Sequence, residues 1–183
     1  MRGAADACFL IDWSRYRRKN VLERLFDLLL IHEETLLQLR SPPAIEYVSS
    51  LLASGLLRLY PWSSDDERQY SRLRDEVSLD PRIPSLERPD LLCLVIAHRT
   101  GSVLLSENLG VLRVTQFHPL YSGVKIWTSL EVLENSVYNG LISIGSVDEF
   151  LEIVREYEED TRHIFNKRRL DAVTRRIGEW LKR

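Results

Sequence analysis

Residues 87–114 read ERPDLLCLVIAHRTGSVLLSENLGVLRV, and this order of residue types predicts a helix, a turn, a buried strand and an acidic loop. Pro89 and Asp90 are typical of a helix start, where proline needs no donor and a carboxylate accepts from free backbone N–H groups. An apolar run, residues 91–97, follows them. Gly101 is typical of the residue at which a helix ends.

The segment after this glycine places polar side chains at the end of a strand. Residues 103–105 are short and continuously apolar, as buried parallel strands are. Glu107 and Asn108 come shortly after them. In open α/β sheets, binding and catalytic sites lie at the carboxyl ends of the strands. We therefore expect Glu107 and Asn108 to lie near a site, together with Asp90.

The rest of the chain alternates between apolar runs and segments with helical spacing, which predicts parallel strands with right-handed crossovers. We expect the α/β class, as a three-layer α/β/α fold with a sheet of four to five strands. We expect one domain over residues 1–183, with a core at about 7–130 and a helical C-terminal extension at about 131–183. The first strand is predicted at residues 7–11, directly before Asp12. The other strands are predicted at residues 29–31, 56–60, 103–105 and 124–127.

The composition narrows the class of protein. The 183 residues are 44% hydrophobic, and the net charge of −2 gives no global attraction to nucleic acid or membrane. Cys8 and Cys93 lie in apolar runs without zinc-site spacing, which favours reduced thiols and a cytoplasmic location. No signal peptide is evident, and the apolar runs are shorter than a membrane span.

The predicted strand ends and helix starts carry several acidic groups: Asp12, Glu34 with its neighbour Glu33, Asp90 and Glu107. Carboxylates gathered in one place repel one another, and this repulsion raises their pKa values unless a cation lies between them. Mg²⁺ prefers such oxygen ligands, and a bound Mg²⁺ can activate water and stabilise phosphoryl oxygens. The four histidines are scattered, and we expect each to be structural or exposed: His32, His98, His118 and His163.

The pattern resembles that of the PIN domain, a metal-dependent nuclease fold found in many toxins of toxin–antitoxin pairs and in RNA-processing enzymes. The resemblance covers residues 7–130 and rests on the run Phe9-Leu10-Ile11-Asp12, the acidic helix after the second strand, Asp90, and the run Leu104-Leu105-Ser106-Glu107-Asn108. It implies hydrolysis of RNA phosphodiester bonds with Mg²⁺ or Mn²⁺ as cofactor. Asp12, Asp90 and Asn108 would hold the metal.

The sequence departs from the family pattern at two acidic positions. Gln38 falls where the family has a glutamate, with Glu34 one turn earlier, and Asn108 falls where the family has a further acid, with Glu107 beside it. An amide offers an oxygen ligand but does not neutralise a divalent cation. The implied catalytic set is therefore Asp12, Asp90, Glu107, Asn108, Glu34 and Gln38, with two alternatives for each uncertain acid.

Basic residues could provide contacts to RNA. Arg15, Arg17, Arg18 and Lys19 lie beside aromatic residues after the first predicted strand, a composition that suits phosphate and base contacts. A solvated helix start is the alternative for this segment. The last predicted helix also has a cationic face, for which RNA, a protein partner and solvent all remain open: Lys167, Arg168, Arg169, Arg175, Arg176 and Lys182.

Other classes of protein fit less well. A haloacid-dehalogenase-like phosphatase needs a second aspartate where Ser14 lies, and a dinucleotide-binding domain needs glycines after its first strand. The main rival is a catalytically weak or inactive PIN-like module that binds RNA or a protein. Single-stranded RNA is the expected partner, no membrane is expected, and an antitoxin, another protein or a homodimer remains open. Metal titration separates an enzyme from an inactive module.

Overall fold

The computed structural model describes residues 1–183 and has a five-stranded, all-parallel sheet flanked by helices. The strand order is β3-β2-β1-β4-β5, so β1 is central. This confirms the predicted three-layer α/β/α fold. The strands are β1 (Arg2–Ala5), β2 (Leu28–Ile31), β3 (Leu57–Leu59), β4 (Val103–Leu105) and β5 (Ile126–Trp127). The helices are α1 (Ala7–Arg15), α2 (Asn20–Leu25), α3 (Glu33–Leu36), α4 (Pro42–Ala53), α5 (Ser64–Leu79), α6 (Arg88–Thr100), α7 (Leu109–Phe117), α8 (Ser129–Tyr138), α9 (Val147–Thr161) and α10 (Lys167–Trp180).

The two faces of the sheet are covered by separate hydrophobic clusters. The larger cluster lies under α1, α2, α4, α8, α9 and α10, and the smaller one lies under α5, α6 and α7. Neighbouring strand residues alternate between them, since Ala4 belongs to the smaller cluster and Ala5 to the larger. The C-terminal helix α10 contributes the buried side chains of Val173 and Ile177 to the larger cluster. The C-terminal extension therefore packs into the same core as the sheet.

The predicted first strand at residues 7–11 is wrong, because this segment is the start of α1. Asp6 caps the helix by accepting a hydrogen bond from the Phe9 backbone N–H at 2.7 Å. The apolar residues form one helical face, with Phe9, Leu10 and Trp13 fully buried. Asp12 consequently lies within a helix and not at a strand end.

Small residues form the true central strand. Gly3 packs so closely that an added Cβ would lie 2.9 Å from a side-chain carbon of Leu29 and 3.1 Å from one of Phe26. Ala4 and Ala5 are fully buried. Larger side chains on the neighbouring elements fill the space that these residues leave. A run of Gly and Ala gives little of the apolar signal that identifies a strand.

The other predicted strands are confirmed, with shifted ends. The structure has β2 at Leu28–Ile31 and β4 at Val103–Leu105, whereas β3 and β5 are shorter than predicted. Helix α6 ends at Gly101, whose φ of 63° is left-handed, as expected for a C-terminal glycine. None of the helices has the length and apolar character needed to cross a membrane.

Candidate functional site

Three carboxyl groups lie at the C-terminal edge of the sheet. Asp6 follows β1 directly, Glu107 lies two residues after β4, and Asp90 lies in the first turn of α6. Strands β1 and β4 are neighbours, with Ala5 paired to Leu105. Burial is the main cause of the raised pKa of Asp6, and the negative charges of Asp90 and Glu107 raise this pKa further.

Asp6 is the residue at this edge that the sequence prediction missed. The residue is 5% exposed. Burial raises its pKa from 3.8 to about 7, and hydrogen bonds from the Phe9 N–H and the Ser106 hydroxyl offset only part of this effect. The available signal was its position just before an apolar run with helical spacing, which is where a helix cap occurs.

Asp90 and Asn108 are joined directly. The Asn108 Nδ2 donates to Asp90 Oδ2 at 3.0 Å, and the Glu87 backbone N–H donates to the same oxygen at 3.2 Å. Asn108 also caps α7 by accepting from the Gly110 N–H at 2.8 Å. Burial raises the pKa of Asp90, although the hydrogen bonds from Asn108 and Glu87 oppose the rise. Its second oxygen, Oδ1, accepts no hydrogen bond from the protein.

A buried hydroxyl holds Glu107 in place. Ser129 donates to Glu107 Oε1 from its backbone N at 2.7 Å and from its Oγ at 2.5 Å. The Ser129 Oγ also accepts from Trp13 Nε1 at 3.0 Å and contacts the Tyr157 hydroxyl at 2.6 Å. Burial raises the pKa of Glu107, and the hydrogen bonds from Ser129 offset part of this rise. Helices α1, α8 and α9 thus meet at the Ser129 hydroxyl, which binds this carboxylate.

His163 bridges two acidic residues, although the sequence suggested only a structural or exposed role. Its Nε2 lies 3.4 Å from Glu107 Oε2, and its Nδ1 lies 3.5 Å from Asp12 Oδ2. The contact with Asp12 raises the pKa of His163, against the lowering effect of burial. No local sequence signal could reveal this contact, because Asp12 and His163 are 151 positions apart in the chain. Asp12 forms no hydrogen bond or ion pair with Asp90 or Asn108.

Glu34 is neutralised by a neighbour of Asp90. The Arg88 Nε lies 3.0 Å from both carboxylate oxygens of Glu34, and its terminal nitrogens bind Glu67 at 3.1 and 3.2 Å. The Arg88 guanidinium also lies 4.2 Å above the centre of the Tyr70 ring. Gln38 lies beyond the end of α3, is exposed, and forms no side-chain hydrogen bond. Of the two residues predicted as alternatives for this acidic position, Glu34 therefore binds Arg88 and Gln38 faces solvent.

Two of the four basic residues expected to contact RNA are neutralised by α9. Arg17 binds Asp160 through both Nε and Nη2, with the shortest contact at 2.6 Å. Arg18 binds Glu156 in the same two-point manner, at 2.7 and 3.0 Å. These pairs fasten the segment after α1 to the C-terminal helices. Their charges are consequently not free for phosphate.

The other two residues of that segment differ from each other. Lys19 donates to the Ser14 carbonyl oxygen at 3.1 Å and lies 5.3 Å from the centre of the Tyr47 ring. Arg15 is exposed and forms no ion pair. Only Arg15 of the four is unengaged by the protein.

Helix α10 has a mixed cationic face. Arg169 binds Glu131 at 2.7 Å and Arg176 binds Glu134 at 2.6 Å, so both arginines hold α10 against α8. The remaining members form no ion pair: Lys167, Arg168, Arg175 and Lys182.

The carboxyl groups at the sheet edge are the possible ligands for a metal ion. No three His, Cys, Asp or Glu side chains come close enough together in this arrangement to coordinate one ion. Asp6, Asp90 and Glu107 each use one oxygen for a backbone hydrogen bond, from Phe9, Glu87 and Ser129 respectively. Asp90 Oδ1 accepts no hydrogen bond, whereas Glu107 Oε2 lies 3.4 Å from His163 Nε2. Carboxyl groups whose pKa values are raised by burial suit a hard divalent cation. The residues therefore suit a divalent cation by ligand type, although three of them do not converge on one point in this arrangement.

A larger surface depression lies elsewhere. It has a volume of about 510 Å³ and is lined by Arg2, His98 and Lys125 near the N-terminal ends of the strands. None of the candidate acids lines it. A smaller cleft of about 270 Å³ opens beside Glu107 and His163. Chemistry and position identify the smaller cleft as part of the candidate site.

Comparisons with known proteins give no further identification. No family model matches the chain, and no curated protein matches its sequence.

Proposed function

We propose that the chain is a Mg²⁺- or Mn²⁺-dependent ribonuclease of the PIN type that hydrolyses phosphodiester bonds in single-stranded RNA. One observation carries the proposal: the buried Asp6 and the half-buried Asp90 and Glu107 lie at the same sheet edge, and their pKa values are raised. Burial disfavours the charged form of these carboxyl groups, and a bound cation would offset that cost. The family resemblance expects a carboxylate after the first strand, and Asp6 has that position.

Each residue has a defined part in this proposal. Asp6 and Asp90 would hold the metal through their carboxylate oxygens, and Glu107 would complete the site or orient water. Asn108 positions Asp90, because its amide donates to Asp90 Oδ2 while its own oxygen caps α7. A bound Mg²⁺ or Mn²⁺ would supply an activated water and charge stabilisation at the phosphate. Ser129 fixes the orientation of Glu107.

Cleavage of an unstructured RNA oligonucleotide, with Mn²⁺ and with a chelator, tests the proposal. We expect Asp6→Asn and Asp90→Asn each to lower the rate by about 100-fold or more, since metal sites lose affinity with each ligand charge. Asp12→Asn is the matched control, because Asp12 lies in the same helix but contacts only His163 at the edge. The proposal fails if the wild type does not cleave, or if Asp6→Asn cleaves as fast as Asp12→Asn.

A catalytically inactive module that binds RNA or a protein partner is the second candidate. It is favoured by the Arg88–Glu34 ion pair and by the amide at Asn108, which together leave fewer negative charges at the edge. Calorimetric titration with Mn²⁺ separates the two candidates. Binding that is lost in Asp6→Asn supports the enzyme, and absence of binding by the wild type supports the module.

A further inference from the structure

The segment between α9 and α10, residues 162–166, crosses the acidic edge as a strap. Arg162 has a φ of 61°, and it is the only non-glycine residue with a positive φ. This left-handed conformation turns the chain at the end of α9. The His163 N–H donates to Thr161 Oγ1 at 3.1 Å, and the Phe165 N–H donates to Glu158 Oε1 at 3.0 Å. The strap therefore has a defined conformation.

A cleft of about 270 Å³ lies between the strap and the segment after β4. Its apolar lining includes Leu109 and Ile164, whose residues are 53% and 86% exposed, and the buried Phe165. Its polar lining includes Glu107 and Arg169. Ligand pockets typically combine apolar walls with a few polar groups and enclose about 300–1,000 Å³. This cleft has the same mixed lining but a volume just below that range, so it suits one small ring system.

The charges around the cleft differ between its two ends. Glu107 belongs to the acidic edge, so the cleft is continuous with the candidate catalytic site. At the other end, the first turn of α10 carries Lys167 and Arg168, which are exposed and form no ion pair. Single-stranded RNA has flat bases that bind apolar surfaces and phosphates that bind cations. The arrangement is complementary to a base in the cleft with its phosphate toward α10.

We propose that this cleft binds one nucleobase of single-stranded RNA, adjacent to the cleaved phosphodiester, and that Lys167 and Arg168 bind the neighbouring phosphate. The inference rests on the proposed function, since RNA is taken as the substrate. It assigns a role to the C-terminal extension, which supplies both the strap and the cations. It also explains why Ile164, a branched apolar side chain, is exposed beside an acidic edge.

Binding without cleavage tests the inference. Fluorescence anisotropy in the presence of a chelator would measure the Kd of a labelled single-stranded RNA and of the same RNA with abasic sites. We expect the wild type to bind the abasic RNA at least about fivefold more weakly, because stacking of one base contributes that much or more. We expect Ile164→Asp to weaken binding of the normal RNA and to leave little difference between the two RNAs.

Two matched variants control for unspecific effects. Leu79→Asp replaces a leucine that is 83% exposed on α5, away from the cleft. Arg175→Gln removes an unpaired cation two turns further along α10, and it is compared with Arg168→Gln, which should flatten the salt dependence of binding more. Circular dichroism checks that each variant is folded.

Each outcome has a definite reading. Equal affinity for normal and abasic RNA, equal effects of Ile164→Asp and Leu79→Asp, or no RNA binding by the wild type would overturn the inference. If Ile164→Asp changes only self-association in light scattering, the cleft is a contact between copies and the inference is wrong. Cleavage with no effect of the cleft variants rejects the cleft alone, whereas cleft-dependent binding without cleavage rejects only the proposed catalysis.

Discussion

Replacement of Asp6 by asparagine should stabilise the protein at neutral pH while removing its proposed activity. The Asp6 carboxyl is buried, and its pKa in the folded protein rises from 3.8 to about 7. Asparagine has nearly the same shape and keeps an oxygen that can accept from the Phe9 N–H, so the helix cap should survive. The amide carries no charge, and it therefore avoids the cost of burying a carboxylate.

The sign of the effect follows from proton binding. Between pH 3.8 and about 7, the folded protein retains a proton on Asp6 that the unfolded chain has lost. The free energy of unfolding contributed by this group is therefore fully present below pH 3.8 and decreases until the pH passes about 7. At about 1.4 kcal/mol per pH unit, the loss at neutral pH has an upper limit of about 4 kcal/mol. Relaxation of the buried site reduces this limit, and we expect Asp6→Asn to gain about 2–4 kcal/mol.

Urea denaturation from about pH 4.5 to about pH 8.5 would measure this difference. Asp6→Asn should exceed the wild type by an amount that grows with pH and levels off above pH 7. Millimolar Mn²⁺ should stabilise the wild type and not the variant, since a bound cation would neutralise the carboxylate. A constant difference across the pH range, or a variant that is less stable at neutral pH, would refute the reasoning.

Asp66→Asn is a control of opposite sign. Asp66 is buried, as Asp6 is, but it accepts hydrogen bonds from Ser63, Tyr60 and Arg99. Burial alone would raise its pKa, and the hydrogen bonds from Ser63 and Tyr60 with the charge of Arg99 lower it below 3.8. Its stabilising contribution is present at neutral pH and is lost as the pH falls through the lowered pKa. Asp66→Asn should therefore destabilise the protein at neutral pH.

Two further predictions concern stability. Ser129→Ala should lower the free energy of unfolding, measured by urea denaturation, by about 1–3 kcal/mol, because Glu107 and Trp13 lose a buried partner. The control Ser136→Ala should lower it by less than about 1 kcal/mol, since the Ser136 hydroxyl binds only the Val132 carbonyl of the same helix. Equal losses would argue against the shared role of Ser129. Arg162→Gly should raise the Tm, because glycine adopts the left-handed φ of 61° without the cost of about 1 kcal/mol that arginine has. The control Gly140→Ala, at a φ of 67°, should lower the Tm. A lowered Tm for Arg162→Gly would contradict a strained turn.

The sequence identifies the strands that are rich in large apolar residues. Buried parallel strands are nearly continuous apolar runs, and β2 and β4 consist entirely of leucine, isoleucine and valine. Strand β1 has the sequence RGAA. Its small residues are required because Phe26 and Leu29 pack closely against Gly3. That requirement depends on elements distant in the chain. The apolar run just after β1 consequently resembled a strand, although its helical face and the cap at Asp6 were present in the sequence.

The first strand lies at Arg2–Ala5 and not at residues 7–11, and this difference replaces Asp12 by Asp6 as the carboxyl group that follows the strand. It also changes which residues surround that carboxyl group. Asp12 lies six positions after Asp6, and this corresponds to about 9 Å along the axis of α1. Asp6 remains at the sheet edge with Asp90 and Glu107, whereas Asp12 reaches the strap and contacts His163. His163 in turn contacts Glu107 on the other side. The C-terminal extension, predicted from the sequence as an addition to the core, thus forms one wall of the edge where the acids lie, and any substrate bound there would touch residues of the strap as well as those of the sheet.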